Sequence, residues 1–188
     1  MDFFLSDTHF NNENIIRYCN RPFANAAEMN ETIIKNWNAI VANGDTVHVL
    51  GDFILGSPET IPEILNRLNG KIHLVRGNHD TPRKLGIYEQ YPEKIIVKDI
   101  EYVSFGGLWF VCCHFPITDE GFLDMVTKDN SEVVVLHGHV HDKEPFCDIE
   151  HHKFNLSVDV TEFSPVPISN IHAIVRQHFI EKGVWKGK

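Results

Sequence analysis

The stretch DFFLSDTH, residues 2–9, is a short apolar run that ends in an aspartate and a histidine. The same arrangement returns in TVHVLGD (46–52) and in KIHLVRGNHD (71–80), which end in acidic, amide or histidine side chains. Short apolar runs rich in β-branched residues and bounded by turn residues are typical of buried strands. We therefore predict three buried strands, each of which delivers a metal-competent side chain at its carboxyl end.

Helical segments are predicted between these strands. AAEMNETIIKNWNAIV (26–41) has apolar residues at three-to-four spacing, which predicts a helix with one buried face. TIPEILNRLNGK (60–71) begins with Thr60 and Glu63 in the spacing of a capping box and ends in Asn-Gly, which predicts a second helix. Strands that alternate with helices indicate β-α-β units around a parallel sheet.

The pattern changes in the second half of the chain. KIIVKDIEYVSFGGLWFVCCHFP (94–116) predicts two or three consecutive strands, with a hairpin turn at Gly106-Gly107. Two more strands and a closing helix are predicted at EVVVLHGH (132–139), FNLSVDV (154–160) and VPISNIHAIVRQHFIEKG (166–183). The two halves together predict a layered α/β fold with two packed sheets.

Composition limits the class of protein. The chain has 188 residues and a formal net charge of −9, with 43% hydrophobic residues, and this length suits one domain, residues 1–188. An acidic surface argues against non-specific docking to nucleic acid or to an anionic membrane. The chain lacks the pattern of a signal peptide and any apolar stretch long enough to span a bilayer. Its four cysteines form no Cys-x-x-Cys motif, which indicates reduced thiols and neither a zinc knuckle nor a disulfide framework. We therefore expect a cytoplasmic protein, and the sequence does not determine its oligomeric state.

Metal-competent side chains collect at the predicted strand ends. Ligands of open α/β sheets gather beyond the carboxyl ends of the strands. Imidazole, carboxylate and amide donors without a cysteine suit Mn, Fe, Zn, Co or Ni. The set exceeds the needs of one ion, whereas two ions about 3.5–4 Å apart that share a carboxylate would use it. The candidates are Asp7, His9, Asp52, Asn78, His79, His114, His139 and His141.

The order of these motifs resembles that of the calcineurin-like metallophosphoesterase superfamily, whose pattern is D-x-H, G-D, G-N-H-[DE], a lone H and G-H-x-H. The matching segments are Asp7-Thr8-His9, Gly51-Asp52, Gly77-Asn78-His79-Asp80, His114 and Gly138-His139-Val140-His141. The resemblance implies a four-layer α/β/β/α sandwich and a hydrolase of phosphoesters. It also implies two divalent metal ions, with manganese preferred and Fe, Zn, Ni or Co as alternatives.

The resemblance assigns a role to each matching residue. The implied ligands are Asp7, His9 and His141 for the first metal, Asn78, His114 and His139 for the second, and Asp52 as the bridge between them. His79 takes the position of the residue that contacts the phosphate and protonates the leaving group. A histidine suits that role because its charge changes near neutral pH.

One position departs from the protein-phosphatase branch of the superfamily. That branch carries G-D-x-x-D, in which the second Asp pairs with the catalytic His, whereas this chain has Leu55 there. The difference argues against a Ser/Thr protein phosphatase and favours the small bacterial, archaeal or phage phosphoesterases. We expect attack by a metal-bridging hydroxide on phosphodiesters or nucleotide-type small substrates. The alternatives are a nuclease of the same superfamily, against which the charge of −9 argues, and a non-enzymatic scaffold.

Three residues near the first motif are assigned to substrate binding. Asn12 is expected at the mouth of the cleft, and Arg17 and Arg21 are expected to meet a second phosphate or a nucleotide. The alternative for the two arginines is a surface loop with Phe23 turned inward.

The remaining polar residues near the motifs are interpreted as structural. His137 lies outside the G-H-x-H motif and is expected to pack behind the site. Asp80 is expected to brace the turn at residues 77–79 or the start of the next helix and not to bind metal. His48 and His73 lie within predicted strands and are expected to be structural histidines.

Overall fold

The computed structural model describes residues 1–119 and 133–185. The strands are β1 (Asp2–Leu5), β2 (Thr46–Val49), β3 (Lys71–Val75), β4 (Ile95–Lys98), β5 (Glu101–Phe105), β6 (Leu108–Cys112), β7 (Val133–His137), β8 (Cys147–Asp148), β9 (Lys153–Asn155) and β10 (Val166–Pro167). The α-helices are α1 (Glu13–Tyr18), α2 (Ala26–Ile40), α3 (Ile61–Arg67), α4 (Pro82–Tyr88) and α5 (Ile168–Glu181). In this described part of the chain, no helix is long and apolar enough to cross a lipid bilayer.

Two five-stranded sheets organise the fold. The first has the order β10-β1-β2-β3-β4, in which β1 to β4 are parallel and β10 is antiparallel to β1. The second has the order β5-β6-β7-β9-β8, in which β6, β7 and β9 are parallel and the two edge strands are antiparallel to their neighbours. Helices flank the sheets, which confirms the predicted α/β architecture of two packed sheets.

Alternation along the strands separates two apolar cores. Phe3 and Leu5 of β1 pack in the core that contains Trp37 of α2, on the helix-covered face of the first sheet. Phe4 points the other way, into the core that contains Phe110 of β6. Successive side chains of a strand point to opposite faces, so both faces of the first sheet are buried.

Two local predictions were wrong. Thr60 forms no capping box, because its hydroxyl donates to the carbonyl of Ser57 (2.7 Å) and a 3-10 turn, Pro58–Thr60, precedes α3. The predicted strand at 154–160 ends at Asn155, and a second 3-10 turn, Val158–Val160, follows. This turn carries the chain beneath the carboxyl end of β1, where the amide of Val158 donates to the carbonyl of Ser6 (3.0 Å).

Candidate metal centre

The eight predicted metal and catalytic side chains meet at the carboxyl ends of the parallel strands of both sheets. In the first sheet, β1 is followed by Asp7 and His9, β2 by Asp52, and β3 by Asn78 and His79. In the second sheet, β6 is followed by His114, and β7 by His139 and His141. The two sheets are joined here by hydrogen bonds. The Nδ1–H of His114 donates to the carbonyl of Leu50 (2.8 Å), and the amide of His139 donates to Oδ2 of Asp7 (2.9 Å).

Asp7, His9 and His141 form one half of the cluster. Each offers a ligand atom within 4.8 Å of those of the other two. The Nε2 of His9 is 3.9 Å from Oδ1 of Asp7, and the rings of His9 and His141 are 5.2 Å apart between centroids. The Nδ1–H of His141 donates to Asp159 (2.8 Å), so Nε2 is the nitrogen with which His141 would bind a metal.

Asn78, His114 and His139 form the other half. The Oδ1 of Asn78 lies 2.9 Å from Nε2 of His114 and 3.0 Å from Nδ1 of His139. Nδ1 of His114 donates to a carbonyl, so Nε2 is the nitrogen that can accept a proton or bind a metal. Two acceptor atoms, Nε2 of His114 and Oδ1 of Asn78, then face each other, as they would around a shared cation.

Asp52 lies between the two halves. Its Oδ2 is 3.6 Å from Nε2 of His9 in one half and 3.7 Å from Nε2 of His114 in the other. Its Oδ1 is held by the backbone amide of His79 at 2.8 Å. The carboxylate is therefore fixed with one oxygen turned toward both groups of donors.

Several buried polar atoms of the cluster have no hydrogen-bond partner. They are Oδ1 of Asp7 and both ring nitrogens of His9, and these two residues are 0% and 2% exposed among the described residues. Burial of polar atoms without partners is costly. Burial also lowers the pKa of His9 well below its usual range, with a further contribution from Arg21, so the ring is neutral and able to bind a metal. These atoms and donor types fit divalent cations.

The backbone turns sharply at the strand ends to present these side chains. Five of the predicted ligands adopt a positive φ, which is uncommon for residues other than glycine and costs about 1–3 kcal/mol each. They are Asp7 (56°), His9 (50°), Asp52 (52°), His139 (71°) and His141 (53°). Strained backbone at so many positions of one cluster is typical of a functional site.

Glycines next to the ligands allow a close approach of the loops. A Cβ atom at Gly138 would overlap Asp7, and one at Gly77 would overlap Asp52. Gly51 combines a φ of +96° with contact to the ring of His114, which a side chain would displace. The glycines of the motifs are therefore required by the packing of the cluster.

Arg21 lies beneath the cluster, which corrects the prediction that it contacts substrate. Its guanidinium makes two hydrogen bonds to Asp159 (2.7 and 2.9 Å) and donates to the carbonyls of Asp7 (2.7 Å) and Thr8 (3.0 Å). A contact with the sulfur of Met29 occupies the remaining donor. Arg21 is 4% exposed, so it supports the loop that carries the first motif.

Asp159 is a functional candidate that the sequence did not reveal. Although burial raises the pKa of Asp159, its bonds to His141 and Arg21 lower it below the usual range. Burial alone would lower the pKa of His141, but its contacts with Asp159, Cys19 and Asp7 raise it to about 10. Asp159 therefore holds Nδ1 of His141 and fixes the orientation of the ring.

Asp80 and His137 take the structural positions that were predicted for them. The Oδ2 of Asp80 accepts the amides of Asp52 and Gly77, both at 2.9 Å, and so braces two ligand loops. His137 is 1% exposed at the end of β7, and its Nδ1 contacts the carbonyl of Gly138 at 3.1 Å.

Among the described residues, two clefts that border the cluster can be delimited. The first, of about 520 Å³, is lined by His9, His79 and His141 together with Asn12 and Leu55, and we call it the His79 cleft. The side chain of His79 is 53% exposed, and its Nε2 lies 3.9 Å from Oδ2 of Asp52. The Oδ1 of Asn12 caps α1 by accepting the amide of Asn14 (3.0 Å).

The second cleft, of about 480 Å³, borders the other half of the cluster. It is lined by Asn78 and His114 together with Arg76, Ile100 and Phe115, and we call it the Phe115 cleft. The exposed ring of Phe115 lies 4.9 Å from that of His114 between centroids. Arg17 is exposed on α1 and is not among the residues that line either cleft.

The chain has clear relatives among known proteins. It is 37% identical over 181 residues to an uncharacterised protein of Methanocaldococcus jannaschii, a match that covers 93% of this chain and 91% of the relative. A protein of unknown function from Aquifex aeolicus superposes with a TM-score of 0.73 at 26% identity, over 93% of this chain and 98% of that one. A novel archaeal phosphodiesterase shares the fold, with a TM-score of 0.51 at 24% identity, over 83% and 81% of the two chains.

The sequence also matches a family model, which describes a calcineurin-like phosphoesterase superfamily domain and aligns with residues 3–158. That range contains β2 to β9, all of β1 except its first residue, and every predicted ligand, as well as His79 and Asp80. The chain therefore belongs to the calcineurin-like phosphoesterase superfamily.

Proposed function

We propose that this chain is a binuclear metal-dependent phosphodiesterase that hydrolyses small or nucleotide-type diesters. The observation that carries the proposal is the pair of clefts, each of which borders a different half of the ligand cluster. A phosphodiester has two organic substituents on one phosphorus atom. A phosphate at the cluster would then place one substituent in each cleft.

The seven ligand assignments follow the two halves of the cluster. Asp7, His9 and His141 would hold one ion, Asn78, His114 and His139 the other, and Asp52 would contact both. These nitrogen and oxygen donors suit manganese. When bound, the two ions supply a hydroxide nucleophile and neutralise the charge that develops on the phosphoryl oxygens.

His79 supports departure of the leaving group in this proposal. Its half-exposed ring borders the His79 cleft, and its backbone is tied to Asp52. A proton on this ring can pass to the leaving oxygen of a substituent that occupies this cleft. The other substituent, which stays on the phosphate, would then lie in the Phe115 cleft.

The walls of the clefts fit organic substituents better than a bare phosphate. Leu55, which stands where the protein-phosphatase branch has its second Asp, lines the His79 cleft. Phe115 is 52% exposed beside His114 and His139, where an aromatic face can stack on a nucleobase. Arg76 lines the same cleft.

A comparison of a diester with its matching monoester tests the proposal. We expect the Mn²⁺-loaded protein to hydrolyse bis-p-nitrophenyl phosphate with kcat/KM at least about 10-fold above that for p-nitrophenyl phosphate, or about 1.4 kcal/mol. Release of p-nitrophenolate is the measurement, and the Asp52→Asn variant controls for contaminating phosphatases. A preference for the monoester would contradict the proposal. Faster cleavage of single-stranded DNA would favour the nuclease, and a fully metallated protein without hydrolysis would favour the scaffold.

The two histidines at the end of β7 provide a matched test of the ligand assignment. We expect His139→Ala to lose about one metal ion per chain, because its Nδ1 lies beside Asn78 in the second half of the cluster. We expect His137→Ala to lose none, because His137 lies behind the cluster. Metal content by inductively coupled plasma mass spectrometry decides between them. Equal metal loss in both variants would show the assignment to be wrong.

A further inference from the structure

A second cluster of histidine and carboxylate side chains lies between the two sheets, away from the metal centre. His48 of β2 and His73 of β3 are directly paired across neighbouring strands. The ring of His48 stacks on that of Phe4 at 4.7 Å between centroids, which places it on the face that looks toward the second sheet. His48 lies inside β2, whereas Asp52 follows the end of that strand, and the two residues belong to different groups of candidate ligand atoms. The cluster is therefore separate from the proposed catalytic ligands.

Glu101, the first residue of β5, brings the second sheet to these histidines. It is 4% exposed, and each of its carboxylate oxygens contacts one ring. The Nδ1 of His48 lies 2.7 Å from Oε2, and the Nδ1 of His73 lies 2.8 Å from Oε1. The ammonium of Lys98 also contacts Oε1.

His48 faces a carboxylate with each ring nitrogen. Its Nδ1 faces Glu101, and its Nε2 lies 3.1 Å from Oδ1 of Asp2. A neutral imidazole has one N–H, so one of its nitrogens would present a lone pair to a carboxylate. The repulsion between this lone pair and the carboxylate is removed either by a second proton on the ring or by a cation between the ring and Glu101. The side chain is 3% exposed, so Glu101, Asp2 and any bound cation are the groups that can meet its ring nitrogens.

We propose that His48, His73 and Glu101 bind a divalent cation of the zinc type. The three residues offer ligand atoms that lie within 4.8 Å of one another. Two imidazole nitrogens and one carboxylate are a donor set that zinc takes in proteins. Asp2 then accepts the Nε2–H of His48, as carboxylates commonly do behind a metal-binding histidine.

The geometry requires a small adjustment for such an ion. Zinc bonds of about 2.0–2.1 Å in a tetrahedron place the ligand atoms about 3.3 Å apart. The contacts of Glu101 with the two rings, at 2.7 and 2.8 Å, open by about half an ångström to reach that spacing. The side chain of His73 is 23% exposed, which gives water access to a fourth position.

Lys98 is the group that competes with the cation. Two carboxylates and one ammonium leave the cluster with a net charge of −1 when both imidazoles are neutral. A divalent ion beside Glu101 repels the ammonium of Lys98. That side chain is 38% exposed and long enough to turn into solvent. The bound ion would then link β2 and β3 of one sheet to β5 of the other. Its binding free energy would therefore add to the free energy of unfolding.

Zinc binding to a variant that lacks the catalytic centre tests this site. In full-length Asp52→Asn/His139→Ala/His141→Ala, which removes the bridge and one ligand from each half of the catalytic cluster, we expect about one Zn²⁺ per chain after equilibrium dialysis, and a rise in Tm on addition of Zn²⁺. Addition of His73→Ala is expected to weaken zinc binding by about 100-fold or more, since it removes a ligand. Addition of Lys98→Gln is expected to tighten it, because a competing charge is lost. His172→Ala, at a partly buried ring hydrogen-bonded to Gly106, is the control and should leave zinc binding unchanged.

The opposite results would overturn the inference. Zinc binding that is unchanged by His73→Ala, or weakened by Lys98→Gln, would show that the cluster is a proton-linked ion pair alone. If the triple variant does not fold, the same comparison is made on the otherwise unaltered chain, where His73→Ala is expected to lower the zinc content from three ions to two. An unchanged stoichiometry there would also refute the site. Either result leaves the proposed phosphodiesterase activity untouched, because that activity is measured with Mn²⁺ on a separate cluster.

Discussion

Replacement of Asp52 by asparagine is expected to reduce kcat by at least about 1,000-fold, or about 4 kcal/mol, and to lower the metal content at both positions. The Oδ2 of Asp52 lies 3.6 Å from Nε2 of His9 and 3.7 Å from Nε2 of His114, so one carboxylate serves both halves of the cluster. An amide keeps the shape of the side chain and removes the negative charge. Turnover of bis-p-nitrophenyl phosphate and metal content per chain are the two measurements.

The fold of this variant should survive. The oxygen of an asparagine at position 52 can still accept the amide of His79, and the backbone amide of residue 52 still donates to Asp80. Asp45→Asn is a matched control, since the carboxylate of Asp45 pairs with the N-terminal ammonium (2.7 Å) at the other end of the strands. A fully active Asp52→Asn enzyme would refute the proposed mechanism. An inactive variant that retains both metals would show that Asp52 is not the bridge.

The ligands at the strand ends were predictable because they depend on local sequence and because the carboxyl ends of parallel strands lie at the same edge of a sheet. Each buried run is short, and the residue that follows it is held at the edge of the sheet whatever the rest of the chain does. The sequence alone therefore predicts that Asp7, Asp52 and Asn78 lie close together. It also placed Asp80 correctly, since a carboxylate next to a glycine turn commonly accepts nearby amides.

The supports beneath the centre were not predictable in the same way. Asp159 is 138 residues from Arg21 along the chain, and the alternating pattern of FNLSVDV favoured a strand through position 160. Pairing with Ser6 at the end of β1 instead bends the chain into a turn after Leu156. A contact between distant segments decided this local structure, so no window of sequence around Asp159 contains the information.

The three histidines at positions 137, 139 and 141 show the limit of strand periodicity. Alternation places side chains on one face only while the backbone stays extended. Strand β7 ends at His137, and His139 and His141 have φ values of 71° and 53°. The two later histidines therefore enter different halves of the cluster, a division that the family resemblance implied and the alternation did not.

The cluster between the sheets was anticipated only in part. His48 and His73 were expected to be structural because they lie inside strands, and they do lie inside β2 and β3. Glu101 joins them from the other sheet, and the sequence offers no pattern that links position 101 to positions 48 and 73. The contact between the two sheets is decided by how they pack. A site with residues from both sheets therefore becomes apparent only in the three-dimensional structure.

Replacement of His79 by glutamine is expected to slow the reaction, and the loss in kcat should be larger for a substrate with a poorer leaving group. With a diester whose leaving group is an alkoxide, we expect kcat to fall by about 100- to 1,000-fold, because the departing oxygen needs a proton. With p-nitrophenolate, which leaves as a stable anion, the fall should be about 10-fold or less. Metal content should stay the same, because the ring of His79 is half exposed at the rim of the cleft.

The dependence on the leaving group separates this role from a structural one. A variant that merely loosened the cluster would slow both substrates equally and would lose metal. His151→Ala is the matched control, since its exposed ring pairs with Asp148 at 2.9 Å and is not among the residues that line the two clefts. Equal slowing of both substrates by His79→Gln, with the metal retained, would assign His79 to phosphate binding in place of proton transfer. The proton would then reach the leaving oxygen from water, because the other histidines of the cluster are committed to the metal ions in the proposed arrangement.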